Sequence, residues 1–153
     1  MSPELIRRAR ADDVEAIARV FRRSFSTLVF LPTLHTPEEE REHLRRVVNE
    51  QEVWVAERGS RVVGFTALDG DLGTFLYVDP EVHGSGVGSA LLEEVMRARP
   101  DGFRFWAFQE NANARAFYER RGCRALEFTD GRGNEERTSD VLYEWRPETA
   151  GDS

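Results

Sequence analysis

Residues 77–92 read YVDPEVHGSGVGSALL: an apolar extended run, a glycine-rich turn and a helix-forming stretch. This segment restricts the fold more than any other. A strand must end near Val78, a helix must begin near Gly86, and the backbone between them carries few side chains. The first turn of a helix has unpaired N–H groups and the positive end of the helix dipole. Glycines let an anion approach that backbone closely, and Ser85 and Ser89 add hydroxyl donors. Such a turn is either an anion site or a tight structural turn, and the glycines alone leave both open. Two common phosphate motifs do not fit. A P-loop ends in Gly-Lys-Ser/Thr, and this chain has no lysine. A Rossmann fingerprint is Gly-x-Gly-x-x-Gly early in a βαβ unit. Here the spacing is Gly84-x-Gly86-x-Gly88, past the middle of the chain and after a predicted hairpin.

The surrounding sequence supplies the frame. Leu5–Arg10 is extended in character, and Val14, Ile17, Ala18, Phe21 and Phe25 recur at helical spacing up to about Ser26. Residues 27–35 (TLVFLPTLH) have no clear period and read as a loop or a broken helix. Thr36-Pro37-Glu38-Glu39 is a strong helix start, with Thr36 as N-cap, Pro37 at the first position and Glu39 completing a capping box. That helix is predicted to run to about Asn49. Val53–Ala56 and Val62–Leu68 form a hairpin about the turn 58–61, and Gly73–Val78 follows as a third strand. Then come a helix from Gly86 to about Ala98, a strand Phe103–Phe108, a helix from Asn111 to Arg121 stopped by Gly122, and strands Cys123–Thr129 and Thr138–Trp145 about the turn 130–134. Three successive strands followed by βαβ units predict a mixed sheet with helices on its faces.

Composition excludes several functions. The 153 residues suit one domain, expected over residues 1–147 with a disordered tail at 148–153. The net charge of −7 argues against nucleic acid or an anionic membrane as main partner. By general field effects it favours cationic ligands such as amines. One cysteine, Cys123, rules out an intrachain disulfide. With only His35, His43 and His83 beside it, no Cys/His zinc cluster is expected. No signal sequence or long apolar run is evident, and the chain reads as cytoplasmic.

The second informative segment is NANARAFYERRGC, residues 111–123, after the strand Phe103–Phe108. With it the chain resembles the GNAT superfamily of N-acetyltransferases over nearly its whole length. The family pattern Arg/Gln-x-x-Gly-x-Gly/Ala corresponds to His83, Gly86 and Gly88, followed by Ser89-Ala90-Leu91-Leu92. The pattern Asn-x-x-Ala-x-x-Phe-Tyr-Glu-x-x-Gly-Phe corresponds to Asn111, Ala114, Phe117, Tyr118, Glu119, Gly122 and Cys123. Two ordered motifs at the right separation are a specific signal. His83 stands where Arg or Gln is usual, and Cys123 where a core Phe is usual.

The resemblance implies an α/β single domain: a mixed, mainly antiparallel twisted sheet of about six or seven strands, helices on both faces, and a splay between its fourth and fifth strands. It implies acetyl-CoA as co-substrate, no metal, and a primary amine of a small molecule, peptide or protein as acceptor. A homodimer is a frequent assembly in the family. The cofactor would lie against Leu76, Tyr77 and Val78, the turn His83, Gly84, Ser85, Gly86, Val87, Gly88 and Ser89, and Asn111, Ala114 and Tyr118. The Val78 amide is the expected oxyanion donor. Tyr118 is the expected general acid, because a phenol stays protonated at neutral pH and can protonate a leaving thiolate.

The base is open. Many relatives carry a Glu on the strand before the glycine turn, and Gly73–Val78 has none. His35 comes first among the candidates, with Glu38, Glu39, Glu110 and Asp79 as others. Asp130, Asn134, Glu135, Glu136 and Asp140 in the polar C-terminal segment are expected near a cationic acceptor. The missing strand carboxylate and His83 also keep open a non-catalytic acyl-CoA-binding module.

Overall fold

The computed structural model describes residues 5–147, so the tail expected at 148–153 lies outside the described residues. Strand β1 (Leu5–Arg8) leads through a short 3-10 turn into helix α1 (Val14–Phe25), and α2 (Pro37–Glu50) follows. Next come β2 (Glu52–Arg58), β3 (Arg61–Asp69), β4 (Leu72–Val78) and α3 (Val87–Ala98). The chain closes with β5 (Phe103–Phe108), α4 (Ala112–Arg120), β6 (Arg124–Phe128) and β7 (Asp140–Trp145). Local chemistry sets the boundaries as the sequence predicts. The Thr36 hydroxyl accepts from the Glu39 amide at 3.1 Å, and the Glu39 carboxylate accepts from the Thr36 amide at 2.8 Å. Residues 27–35 form no helix.

The strands make one seven-stranded sheet in the order β1-β2-β3-β4-β5-β7-β6. Every neighbouring pair is antiparallel except β4 with β5. That parallel pair is matched only at Leu72 with Arg104 and at Gly73 with Phe105. Beyond these positions the two strands part, as expected. β4 stays paired with β3 up to Val78, and β5 stays paired with β7 along its length. A bulge between Ala67 and Leu68 shifts the β3–β4 register where the parting begins. Bulges bend and twist a strand locally, which turns β4 away from β5. The insertion of β7 between β5 and β6 could not be read from the order of elements along the chain.

β3 is buried from Val62 to Leu68 because both faces of the sheet are covered, which is why its sequence reads as a nearly continuous apolar run. On one face Ile17, Val20, Leu44 and Val47 of α1 and α2 pack on Val53, Val55 and Phe65. On the other, Leu92 and Val95 of α3 pack with Phe103, Phe105, Tyr143 and Trp145. Among the described residues no helix is long and apolar enough to cross a membrane.

An ion pair ties the first strand to the first helix. Arg7 donates to both oxygens of the buried Asp13 carboxylate at 2.8 and 2.9 Å, and the Arg10 amide adds a third bond at 2.7 Å. The Arg7 hydrogen bond is the main cause holding the Asp13 carboxyl below its usual range. A depressed carboxyl contributes stability above its unfolded-state pKa and loses it as pH falls through the folded one. Asp13→Asn should therefore destabilise the fold by about 2–4 kcal/mol near neutral pH. It should also flatten the loss of stability below about pH 4, both measurable by urea unfolding across pH.

Candidate active site

The parting of β4 and β5 leaves backbone groups without a strand partner. The Asp79 amide donates to the Val63 carbonyl at 2.8 Å. Successive strand amides alternate in direction, so the Val78 N–H points away from β3, into the split. The Val78 carbonyl is already engaged: the Ser24 hydroxyl donates to it at 2.5 Å, and His83 Nε2 lies 2.9 Å from it.

Two cavities open from the split, one on each face of the sheet. The first, of about 1040 Å³, is lined by Leu76, Tyr77 and Val78, by His83, Gly84 and residues 86–89, and by α4 from Asn111 to Tyr118. The second, of about 1050 Å³, lies between α1, α2 and the β6–β7 segment. Thr74, Phe75, Tyr77, Trp106, Ala107 and Phe108 line both, so the cavities meet at the split. Phe30 from the α1–α2 loop packs edge-on against Phe108, with ring centroids 6.1 Å apart.

In the first cavity the glycine turn has an anion-binding form. Gly84 and Gly86 have φ of +81° and +95°, in the left-handed region that other residues avoid. Gly86 caps α3 there. A Cβ on Gly88 would come to 3.4 Å from the Phe117 ring, an ordinary contact, which marks how closely α3 packs on α4 there. The amides of Gly84, Gly86, Val87, Gly88 and Ser89 have no backbone acceptor among the described residues. Those of His83 and Ser85 are taken, by the Pro80 and Val82 carbonyls at 3.3 and 3.2 Å. The Ser85 hydroxyl also turns away: it donates to the Val82 carbonyl at 2.5 Å and accepts from Arg58 at 3.2 Å. The expected cradle thus narrows to five amides at the positive end of α3.

Sequence reasoning missed a cation beside this cradle. Arg121 donates through Nε to the Ser89 hydroxyl at 3.1 Å, and through Nη1 to the Phe117 carbonyl at 3.0 Å. Its guanidinium lies 3.9 Å from the Phe117 ring centroid. Arg121 falls at an unspecified position of the second motif, and nothing in the sequence marked it. Asn111 caps α4, accepting from the Ala114 amide at 3.2 Å. Glu119 accepts from the buried Tyr143 hydroxyl at 2.6 Å, which in turn accepts from Arg115 at 3.1 Å.

The half-buried Tyr118 packs on Phe105, with ring centroids 4.4 Å apart. Burial is the main cause pushing its hydroxyl well above the ordinary phenol range. Tyr77 is pushed up to about 12, first by burial and second by the charge of Glu136. Cys123 is buried and its thiol is pushed up to about 12 by the same cause, so it packs as a small apolar side chain with no reactive thiolate.

The second cavity collects the acids. His35, Glu39, Glu40, Glu42, His43, Glu135, Glu136 and Asp140 line it. His35 Nε2 meets Glu135 at 2.5 Å across its mouth. Asn134 lines the cavity too, but its amide is spent on the Thr138 carbonyl and Asp140 at 2.7 and 3.1 Å. Several expected residues lie elsewhere. Asp130 is exposed and bonded to Arg132, away from both cavities. Glu38 lines neither, and Glu110 lines the first. Asp79 is 1 % exposed and pairs with Arg23 and Arg61 at 3.1 and 3.4 Å. Burial pushes its carboxyl up, but the Glu81 amide and Arg23 outweigh this and hold it below its usual range. That role is structural. Sequence reasoning also missed Trp106, His43, Glu40 and Glu42, which only the folded sheet brings to the cavity.

The comparisons with known proteins agree with this geometry. The acetyltransferase (GNAT) domain family matches residues 49–123. The peptidyl-lysine N-acetyltransferase YjaB of Salmonella typhimurium is 33% identical over 119 residues, covering 76% of this chain and 81% of that protein. The Escherichia coli YjaB protein is 32% identical over 119 residues, 76% of this chain and 80% of its own. The solution structure of apo-form E. coli YjaB superposes with a TM-score of 0.76 at 25% identity, over 93% of this chain and 97% of that one. The PaiA N-acetyltransferase of Thermoplasma acidophilum, solved with coenzyme A, shares the fold with a TM-score of 0.75 at 20% identity, over 95% and 99% of the two chains. The split sheet, the glycine turn before α3 and these relatives together establish that the chain belongs to the GNAT superfamily of acetyltransferases.

Proposed function

We propose that this protein transfers the acetyl group of acetyl-CoA directly to a primary amine, with the side chain of a peptide or protein lysine as the preferred acceptor. The observation that carries the reading is the meeting of two cavities at the split. One has a cradle of free amides and a cation, suited to a pyrophosphate. The other is rich in carboxylates, suited to an ammonium group. The curated relatives named as peptidyl-lysine N-acetyltransferases support the choice of acceptor.

Each step of the chemistry has a group in reach. The amides of Gly84 and residues 86–89 hold the pyrophosphate, with Arg121 beside them. The exposed edge of β4 at Leu76–Val78 pairs with the pantetheine arm as an added strand would. The Val78 N–H, aimed into the split, stabilises the oxyanion as the amine attacks the thioester carbon. Tyr118 gives its proton to the sulfur as the C–S bond breaks. Its raised pKa keeps that proton in place over the whole working range of pH.

Thiol release from acetyl-CoA with a panel of small amines and lysine peptides is the direct test. Peptide-dependent turnover is expected, with kcat/KM highest for lysine peptides. Binding of CoA without turnover of any amine would point instead to a non-catalytic acyl-CoA-binding module. Tyr118→Phe should lower kcat by about 100-fold while CoA affinity by calorimetry stays within about twofold. An unchanged kcat removes Tyr118 from the role of acid. Because the phenol titrates so high, the wild-type rate should show no alkaline fall up to about pH 10.

Gly86→Val forces a branched side chain into the left-handed region at a point open to the cradle. It should weaken CoA binding by at least tenfold while far-UV circular dichroism keeps its native shape. Retained affinity in the folded variant refutes the pyrophosphate assignment.

A further inference from the structure

We propose that Glu136, in the segment between β6 and β7, is the base that takes the proton from the incoming ammonium group. The inference rests on the acetyltransferase reading above and supplies the carboxylate that β4 lacks.

The cavity's other carboxylates are engaged. Glu40 pairs with Arg22 at 2.6 Å, and Glu42 with Arg45 at 2.8 Å. Glu39 closes the capping box of α2. Asp140 accepts from Thr129 and from Asn134. Glu135 is bonded to His35. The Glu136 carboxylate alone has no hydrogen bond or ion pair to another described residue, although it lines the cavity and is only half-exposed.

The backbone around it is fixed. Asn134 bonds through its side chain to both the carbonyl and the amide of Thr138, at 2.7 and 3.1 Å. Gln109 bonds the Thr129 and Asp140 carbonyls at 2.8 and 2.9 Å, joining both ends of the segment to the end of β5. Arg137, the next residue, is the one described non-glycine residue with positive φ, at 52°, and its amide is held by the Asn134 carbonyl at 3.2 Å. Strained backbone of this kind persists where the surroundings over-determine it, and it clusters at functional sites. The charge of Glu136 also bears on Tyr77, which lines both cavities at the split. Glu136 and Tyr77 thus line one cavity, and that cavity opens onto the split where the amine must meet the thioester.

The proton count closes. A lysine ammonium arrives with three protons. Glu136 takes one, freeing the lone pair that forms the C–N bond, and releases it to water through the open cavity. As the C–S bond breaks, Tyr118 protonates the sulfur. A second nitrogen proton returns to the Tyr118 phenolate. The products are the amide, which keeps one N–H, and the free thiol.

The other charged and titratable groups facing this space come from each packed element: Arg22 on α1, His43 and Arg46 on α2, Tyr77 on β4 and His35 on the α1–α2 loop. His43, against Phe75 at 6.0 Å, is the rival base. The test is the pH–rate profile, from pH 6 to 10, of wild type, Glu136→Gln, Glu136→Asp and His43→Gln with acetyl-CoA and a lysine peptide. CoA affinity is measured alongside. Glu136→Gln should lower kcat about 100-fold at pH 7 and leave CoA affinity within about twofold. Its deficit should close toward pH 10, where a lysine amine (pKa about 10.4) deprotonates unaided. Glu136→Asp should recover part of the rate.

A Glu136→Gln rate within threefold of wild type overturns the proposal. So does a deficit of constant size across pH, which marks a positioning role. If His43→Gln shows the deficit that closes with pH, the histidine is the base. Absence of wild-type turnover with every amine is a different result: it removes the acetyltransferase reading itself.

Discussion

The shortness of one strand pairing governs the rest of this molecule. β4 and β5 are matched at only two positions, although both continue for several residues in partnership with β3 and β7. A fully paired β4–β5 interface would take up the amides of Leu76 and Val78 in a ladder. The parting leaves them facing space, and an unpaired strand edge is a template for another extended chain. Because both faces of the sheet are covered by helices, that space is not lost to solvent. It becomes a passage through the sheet with a cavity at each end.

The two ends differ in charge, and the difference follows from which elements surround them. The α3 and α4 side presents free amides at a helix N-terminus and the guanidinium of Arg121, both suited to phosphate oxygens. The α1, α2 and β6–β7 side presents carboxylates. Under the proposed function, an anionic donor and a cationic acceptor would be sorted to opposite faces before they meet. The absence of lysine from the chain fits without strain into this arrangement. Arginine serves as the cation throughout, and no side chain of the protein competes as an amine acceptor.

Much of this was legible in the sequence, and the parts that were not share a cause. The helices, the strands and the glycine turn rest on local signals: the capping box at Thr36, the helical spacing from Val14, and the glycines at 84, 86 and 88. The position of Tyr118 came with a motif. The second cavity was read poorly because it is assembled from five separated segments. Asp79 and Asp130 are acidic residues in plausible places, yet one is locked between Arg23 and Arg61 and the other points to solvent. Trp106 and His43 sit in ordinary strand and helix patterns, and only the crossing of their elements makes them neighbours. The bonding of Asn134 to Thr138 and Asp140 is likewise a tertiary fact.

The separation of acid from base is the last consequence of the split. A proton donor and a proton acceptor in direct contact form an internal hydrogen bond and lose their usefulness to the substrate. Here Tyr118 belongs to the α4 side and packs among Phe105, Phe117 and Tyr143. Burial there makes the phenolate costly, so the hydroxyl keeps its proton, as the proposed role of acid requires. The acidic segment between β6 and β7 belongs to the other face and is open to water, where an arriving ammonium can shed a proton and a carboxylate can be restored. The sheet stands between them except at the split, and Tyr77 lines both sides of that opening. In the proposed mechanism, proton donor and proton acceptor would act on the same tetrahedral centre without first neutralising each other, and the two-position pairing of β4 with β5 is what would make that geometry available.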